Sequence, residues 1–346
     1  MKFAHILGAA ALSFGAAFSG AAFAADINGA GASFPAPVYQ AWAAAYKEKT
    51  GTGLNYQSIG SGGGQNQIVN RTVDFGASDA PMADDKLEKA NLLQFPTVIG
   101  SVVAIVNLGE EVPLTLSGPI LAEIYQGKIT KWNDAKIAEL NKGAKLPDLA
   151  IVPVYRSDSS GTSFVFTSYL ASASADWKSN VGAATSVQWP SGAGAKGNEG
   201  VAGTVKNTKG AVGYVEFIYA AANKLATTDL VNKAGKVVKP TEHNFMAAAG
   251  AADWGHAKNF AASMVDTAGE EAWPIVSATY ILLPKNPTNA AQSAEVIKFF
   301  DWAYGPEGDA VAEKLHYIAL PNTVVEEVKK AWASEVKADG KAVWTN

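Results

Sequence analysis

The chain has 346 residues, of which 48% are hydrophobic and 17% are charged, and its formal net charge at pH 7 is −4. This composition provides enough apolar surface for two compact lobes, and the acidic balance argues against a nucleic-acid-binding protein. The sequence contains no cysteine, which excludes disulfides, thiolate metal sites and a lipid-modified N-terminal cysteine.

Residues 1–24 have the features of a signal peptide. Lys2 precedes an apolar stretch without acidic residues, and this stretch ends in the small-residue sequence Ala-Phe-Ala at 22–24. The pattern predicts cleavage after Ala24. A retained membrane anchor is the alternative, but glycine and serine residues interrupt the apolar stretch. The later run 95–106 is too short and too polar to span a bilayer, so we expect an exported, soluble mature chain without a membrane anchor.

Strand-like and helix-like segments alternate through most of the chain. Short runs rich in β-branched and aromatic residues indicate strands, and apolar residues at intervals of three and four indicate helices. Their alternation predicts an α/β fold, and no low-complexity linker separates two independent units. The strand-like runs lie at 53–58, 73–78, 97–106, 149–155, 213–217 and 278–283, and the helical patterns at 38–49, 64–70, 85–92, 117–125, 133–141, 162–172, 290–303, 307–315 and 322–337.

Three segments place hydroxyl or glycine residues directly before a helical pattern. They are residues 29–37, 58–65 and 156–163. The first turn of a helix presents unpaired backbone N–H groups and the positive end of the helix dipole, which together favour an anion. For any one segment, a turn that only caps the helix is the common alternative. Because the pattern occurs three times, and because Arg156 can hold an oxyanion bidentately, the sequence predicts an anion site.

Asp79 follows the strand-like run 73–78, at the end of a strand where open α/β sheets form their ligand crevices. Its alternative role is to cap the next helix. A carboxylate beside an anion is repulsive unless the anion carries a hydrogen, and hydrogen phosphate has a P–OH group whereas sulfate has none. In this interpretation Asp158 orients the guanidinium of Arg156 and tempers its charge.

Other chemical motifs are weak. Residues 192–200 are rich in glycine but match neither the Walker spacing nor the dinucleotide fingerprint, so we interpret them as a loop that enters a helix. The histidines beyond the signal peptide, His243, His256 and His316, have no metal-ligand spacing, and no serine lies in a G-x-S-x-G motif. The sequence therefore predicts no catalytic residue, no metal and no cofactor.

Several segments, taken in order, resemble the bacterial periplasmic phosphate-binding protein family, PstS. They are residues 29–39, 56–63, 73–80, 159–167, 272–275 and 299–304, so the resemblance covers essentially the whole mature chain. It implies an α/β, two-lobe type II periplasmic binding protein with two crossing hinge strands. It also implies that the protein binds inorganic phosphate in the periplasm with high affinity and delivers it to an inner-membrane phosphate ABC permease complex, as a monomer without chemistry of its own.

The resemblance also assigns lobes and site residues. Lobe I would comprise 25–104 and 277–346, lobe II would comprise 105–276, and the phosphate cleft would lie between them. Asp79 would accept the phosphate proton, and Asp158 would hold Arg156. The phosphate would be bound by Arg156 and by backbone N–H groups and hydroxyls of Ser33, Phe34, Ser61, Ser160, Gly161 and Thr162. The alternatives are a binding protein for another oxyanion, such as sulfate or molybdate, and a secreted phosphatase, which would need a metal cluster or an activated nucleophile.

Overall fold

The computed structural model describes residues 26–109 and 112–345, so the predicted signal peptide lies outside the described residues. Strands and helices alternate in the described ranges, which confirms the predicted α/β fold. The strands are β1 Ile27–Gly31, β2 Leu54–Ser58, β3 Phe75–Ser78, β4 Leu92–Val106, β5 Thr115–Ser117, β6 Val152–Arg156, β7 Ala193–Ala195, β8 Ala211–Glu216, β9 Ala226–Thr227, β10 Asp229–Val231, β11 Val237–Val238, β12 Met264–Val265, β13 Ile275–Pro284, β14 Lys337–Ala338 and β15 Lys341–Ala342.

Most helices lie close to the predicted positions. The helix α7 has no counterpart among the sequence patterns, and α9 and α10 correspond only to alanine-rich helix candidates at 219–226 and 246–252. No helix in the described ranges is both long and apolar enough to cross a bilayer. The helices are α1 Ala36–Thr50, α2 Ser61–Val69, α3 Asp84–Ala90, α4 Gly118–Tyr125, α5 Ala135–Leu140, α6 Gly161–Ala173, α7 Ala175–Asn180, α8 Gly197–Asn207, α9 Phe217–Asn223, α10 Glu242–Ala249, α11 Ala290–Ala303, α12 Pro306–Lys314 and α13 Asn322–Glu335, and a 3-10 turn spans Lys258–Phe260.

One sheet runs through the molecule and has a parallel section at each end. Its main path has the order β2-β1-β3-β13-β4-β8-β6-β7. At one end β1 pairs in parallel with β2 and β3, and at the other β6 pairs in parallel with β7 and β8. We call the part built on β1, β2 and β3 the first lobe, and the part built on β6, β7 and β8 the second lobe.

β4 and β13 are the two strands that join the lobes. They are antiparallel, and they pair with each other from 92 opposite 284 to 101 opposite 276. β13 also pairs with β3 of the first lobe, and β4 pairs with β8 of the second. Every residue of β4 is buried, and a strand buried on both faces has a nearly continuous apolar sequence. This is why the segment is recognisable in the sequence.

β4 contains two residues that are unusual in a central strand, Gln94 and Pro96. The side chain of Gln94 accepts a hydrogen bond from the backbone N–H of Met82 at 2.7 Å and donates to the carbonyl of Asn259 at 2.9 Å, so the buried amide is paired. Pro96 has no N–H to donate, and the register of pairing with β13 shifts next to it. Both residues interrupt the apolar pattern, so the strand predicted from the sequence begins at 97 instead of 92.

β1 is a strand that the sequence patterns miss. Its sequence, Ile-Asn-Gly-Ala-Gly, has only one β-branched residue. It is nevertheless central in the first lobe, because β2 and β3 pair with its two edges. Its glycine allows close packing, since a Cβ at Gly29 would lie 2.1 Å from the ring of Phe75. Packing between neighbouring elements therefore makes this segment a strand although its own residues have a weak preference for strand structure.

Candidate anion-binding site

The carboxyl ends of the parallel strands in both lobes meet at one cleft. Ser33 follows β1 and Asp79 follows β3 in the first lobe, and Arg156 ends β6 in the second. Their exposed fractions are 2%, 1% and 3%. Ligand crevices of α/β sheets form at this edge, because the chain leaves each strand there for a loop or a helix. The structure thus brings together residues that the sequence predicts to form one site.

Arg156 is held by Asp158 in a bidentate ion pair. Nε donates to Oδ1 at 2.8 Å, and Nη2 donates to Oδ2 at 2.5 Å. Burial disfavours the charged guanidinium, but the hydrogen bonds and the charge of Asp158 outweigh this effect, so the pKa of Arg156 is raised. Burial also disfavours the charged form of Asp158, yet the hydrogen bonds from Arg156 hold its pKa below the usual range. Both groups therefore stay charged at neutral pH.

The guanidinium keeps donors for a ligand. Besides the two bonds to Asp158, Arg156 makes one more side-chain hydrogen bond, from Nη1 to Thr162 Oγ1 at 3.2 Å. A guanidinium has five N–H groups in a planar fork. One N–H on each terminal nitrogen therefore remains for an oxyanion.

Ser160, Gly161 and Thr162 form the start of α6. Ser160 is the N-cap, and its Oγ accepts a hydrogen bond from the backbone N–H of Ser163 at 3.0 Å. All of these residues are buried. The first turn of α6 therefore faces the interior of the cleft, where its N–H groups and dipole favour negative charge.

Ser61, the first residue of α2, connects the two lobes. Its Oγ accepts hydrogen bonds from the backbone N–H of Asp79 at 3.1 Å and from that of Gly161 at 3.0 Å. A Cβ at Gly161 would lie 2.3 Å from this oxygen, so the contact requires glycine. The lobes therefore touch at the start of two helices.

Asp79 is the acidic group of the cleft. Its Oδ1 accepts a hydrogen bond from Thr279 Oγ1 at 2.7 Å, and Ser61 Oγ lies 3.5 Å from its Oδ2. Burial raises the pKa of Asp79 to about 7, against the opposing effects of the Thr279 hydrogen bond and the Arg156 charge. The carboxyl can therefore hold or release a proton near neutral pH, depending on what faces it.

Four buried backbone N–H groups at the cleft have no acceptor among the described residues. They belong to Ser33, Phe34, Ser61 and Thr162, whose residues are at most 2% exposed. Buried N–H groups without a partner are rare in folded proteins, because each costs free energy comparable to a lost hydrogen bond. Such groups beside an arginine indicate a site for an anion with several acceptor oxygens.

The sequence interpretation missed two residues that hold the site residues. Thr279 on β13 binds Asp79, and Asn198 on α8 donates to Ser33 Oγ and to Thr162 Oγ1. The sequence does contain a signal for Asn198, because the glycine-rich residues 192–200 predict a loop that enters a helix. That helix is α8, and its first N–H, from Gly197, donates to Asp158 Oδ1 at 3.1 Å. Within the described ranges, no group of three or more His, Cys, Asp or Glu side chains has a metal-binding arrangement.

Comparison with known proteins agrees with this fold. The chain matches the PBP superfamily domain over residues 16–307. It is 49% identical over 324 residues to the phosphate-binding protein PstS of Pasteurella multocida (strain Pm70), across 93% of this chain and 94% of that protein. It is 50% identical over 313 residues to the phosphate-binding protein PstS of Xylella fastidiosa (strain Temecula1), across 90% of this chain and 86% of that protein.

The fold also matches a solved structure. The phosphate binding protein from Stenotrophomonas maltophilia superposes with a TM-score of 0.70 at 23% identity, over 91% of this chain and 96% of that one. The two lobes and their crossing strands are those of a periplasmic binding protein. The chain belongs to the PstS family of phosphate-binding proteins.

Proposed function

We propose that the protein binds inorganic phosphate in the periplasm with high affinity and delivers it, as a monomer without a catalytic step, to an inner-membrane ABC permease. The observation that carries the proposal is the set of buried N–H groups without acceptors, on Ser33, Phe34, Ser61 and Thr162, around the guanidinium of Arg156. The names of the relatives, phosphate-binding protein PstS, support phosphate as the anion.

In the proposed complex, phosphate receives hydrogen bonds from both lobes. Arg156 donates through its two remaining N–H groups, and Asp158 keeps the guanidinium in place. Asp79 accepts the phosphate hydrogen. The other ligands are backbone N–H groups and hydroxyls of Ser33, Phe34, Ser61, Ser160 and Thr162, together with the N–H of Gly161, which would share its hydrogen between Ser61 Oγ and the anion. A tetrahedral anion with four oxygens matches donors that approach from several directions.

The position of Asp79 favours phosphate over sulfate or molybdate. At neutral pH phosphate retains an O–H donor, whereas those oxyanions present only acceptors. A buried carboxylate facing acceptors alone is repulsive, and specificity often comes from such rejection. Burial raises the pKa of Asp79 to about 7, so the rejection of sulfate should be strongest above neutral pH, where the carboxyl is ionised.

We further propose that phosphate is enclosed by closure of the lobes. The proposed lobes, 25–104 with 277–346 and 105–276, place both boundaries inside the crossing strands β4 and β13. Donors from Ser33 and Ser61 in the first lobe and Thr162 in the second must all reach one anion. A small rotation about the crossing strands can assemble or separate them, as in other hinge-bending binding proteins.

Calorimetric titration of the mature chain, stripped of co-purified ligand, tests the proposal. We expect tight binding of one phosphate and much weaker binding of sulfate. Absence of phosphate binding by a folded sample would contradict it. The phosphatase alternative is tested by incubation with an aryl phosphate, with and without divalent metal, and we expect no turnover in either case. N-terminal sequencing of periplasmic protein should begin at Ala25.

A further inference from the structure

We infer that Asn198 is a positioning residue that turns the hydroxyls of Ser33 and Thr162 into obligate donors to the anion and links the two lobes around it. This inference rests on the proposed binding of phosphate in the cleft. Asn198 lies outside the set of ligands assigned above, and it acts through two of them.

The backbone N–H of Asn198 and both ends of its side-chain amide are hydrogen-bonded. The residue is the second of α8 and is 0% exposed. Its backbone N–H donates to Ser33 Oγ at 3.2 Å, and its Nδ2 donates to Ser33 Oγ at 2.8 Å and to Thr162 Oγ1 at 3.1 Å. Its Oδ1 accepts from the backbone N–H of Glu216 at 2.9 Å. Because a backbone N–H can only donate, this last bond fixes which end of the amide faces the two hydroxyls.

As a result, the hydroxyls of Ser33 and Thr162 can act only as hydrogen-bond donors. A hydroxyl has one O–H donor and two acceptor lone pairs. Ser33 Oγ accepts two hydrogen bonds from Asn198, and Thr162 Oγ1 accepts one from Asn198 and one from Arg156 Nη1. Both lone pairs of each oxygen are occupied, so each O–H can only be donated. Neither hydroxyl donates to an acceptor among the described residues, and an oxyanion in the cleft supplies that acceptor.

The orientation of these two hydroxyls restricts where a protonated oxygen of the anion can bind. Ser33 and Thr162 cannot accept a hydrogen bond from a P–OH group, because their lone pairs are taken. The hydrogen of the phosphate is therefore directed to Asp79, the carboxyl acceptor of the cleft. Asn198 thus contributes to selectivity without touching the anion.

The same amide connects the lobes. Ser33 follows β1 in the first lobe, whereas Asn198 and Thr162 begin helices of the second lobe. The two bonds from Asn198 to Ser33 exist only when the lobes are together. Removing them should destabilise the closed form and speed the release of phosphate, because association varies less than dissociation among variants of one site.

A purely structural role for Asn198, holding the start of α8 against β8, makes a different prediction for the double variant with Ser33→Ala. Under that role, loss of Asn198 weakens binding whether or not the Ser33 hydroxyl is present, so the two losses multiply. Under our inference Asn198 acts through the Ser33 hydroxyl, so the two losses overlap. Asn198→Asp should be more severe than Asn198→Ala, because its carboxylate attracts the hydroxyl protons of Ser33 and Thr162, turns their lone pairs toward the anion and adds a negative charge beside it.

The experiment is a calorimetric series with inorganic phosphate on wild type, Asn198→Ala, Asn198→Asp, Ser33→Ala and the double variant Ser33→Ala with Asn198→Ala. We expect Asn198→Ala to weaken binding about tenfold or more, with a larger loss for Asn198→Asp. The double variant should lose much less than the product of the two single losses, because Asn198 acts through Ser33. Stopped-flow measurement should show faster phosphate release from Asn198→Ala.

Asn141→Ala is the matched control. This buried amide also makes three hydrogen bonds, with the backbone of Thr115 and the carbonyl of Ile137, but it lies away from the cleft. Its thermal stability should fall while its phosphate affinity stays at the wild-type value. If Asn198→Ala does not fold, Asn198→Asp replaces it in the double-mutant cycle with Ser33→Ala.

Multiplicative losses in the double variant, or an affinity of Asn198→Asp above that of Asn198→Ala, would overturn the role of Asn198. Failure of wild type to bind phosphate in the same series would instead overturn the proposed function. The two failures are therefore distinguishable.

Discussion

Gly161 in the second lobe donates its backbone N–H to Ser61 Oγ in the first lobe at 3.0 Å. No side chain fits between them, since a Cβ at Gly161 would lie 2.3 Å from that oxygen and 2.6 Å from Asp79 Oδ2. This glycine thus determines how closely the lobes approach at the cleft.

Gly161→Ala should hold the lobes apart and weaken phosphate binding. The methyl group meets Ser61 and Asp79, and overpacking of this kind costs about 1–3 kcal/mol. Calorimetry gives the affinity, and small-angle scattering with saturating phosphate should show a larger radius of gyration than for wild type. Gly203→Ala is the control, because a Cβ at this position in α8 meets nothing within 4 Å. Wild-type affinity in Gly161→Ala would contradict the steric argument.

Arg156→Ala should lose most of the affinity for phosphate. The substitution removes the guanidinium from a desolvated site and leaves Asp158 without its partner, and losses of this kind cost about 2–5 kcal/mol. The chain has one other arginine, Arg71, which donates to the carbonyls of Ile68 and Ala90 away from the cleft. Arg71→Ala should bind phosphate like wild type. An Arg156→Ala affinity within a factor of a few of wild type would remove this residue from the site.

Asp79 should make sulfate binding dependent on pH. Its pKa is about 7, so below this pH the carboxyl is protonated and can donate to sulfate, whereas above it the charged form repels the anion. We expect the sulfate affinity of wild type to fall by about tenfold per pH unit above 7. In Asp79→Asn this dependence should disappear, and the preference for phosphate over sulfate at pH 8 should shrink.

Asp134→Asn is the control for this measurement. Asp134 is the N-cap of α5, where asparagine is an equally good cap. This variant should keep the wild-type pH dependence and selectivity. An unchanged ratio of the two dissociation constants in Asp79→Asn would mean that Asp79 does not face the anion.

Glu216→Gln should change how stability depends on pH. Glu216 is 0% exposed, and its Oε2 caps α9 by accepting from Ile218 N at 2.8 Å. Burial holds its pKa well above the usual range. The folded form therefore keeps a proton that the unfolded chain releases above the usual glutamate pKa. As pH rises above that value, folding stability falls until the folded group also ionises.

The glutamine variant cannot release this proton, so its stability should decline less between pH 5 and pH 8. Urea unfolding of the phosphate-free protein at several pH values measures the difference. Glu326→Gln, at an exposed position of α13, should follow the wild-type curve. Parallel curves for wild type and Glu216→Gln would show that burial does not shift this carboxyl.

The predictable part of the site is local in sequence. Arg156, Asp158 and Thr162 lie within one strand end and one helix start, so the residue pattern alone indicates their chemistry. Asn198 and Thr279 were missed because their function depends on partners 165 and 200 residues away, Ser33 and Asp79. Asparagine and threonine are common in ordinary turns and strands, so neither position stands out until the fold is known. The same reason explains why β1, held by its neighbours, was missed.

The first lobe is discontinuous in sequence, because β13 completes a sheet that begins with β1, β2 and β3. The strands of the second lobe lie between these segments, so a chain that emerges with its N-terminus first can complete that lobe before β13 is available. The contact of Asp79 with Thr279 spans 200 residues and forms late. Chains that end before β13 lack the partner that fixes Asp79. We therefore expect selective phosphate binding only in chains that extend through β13.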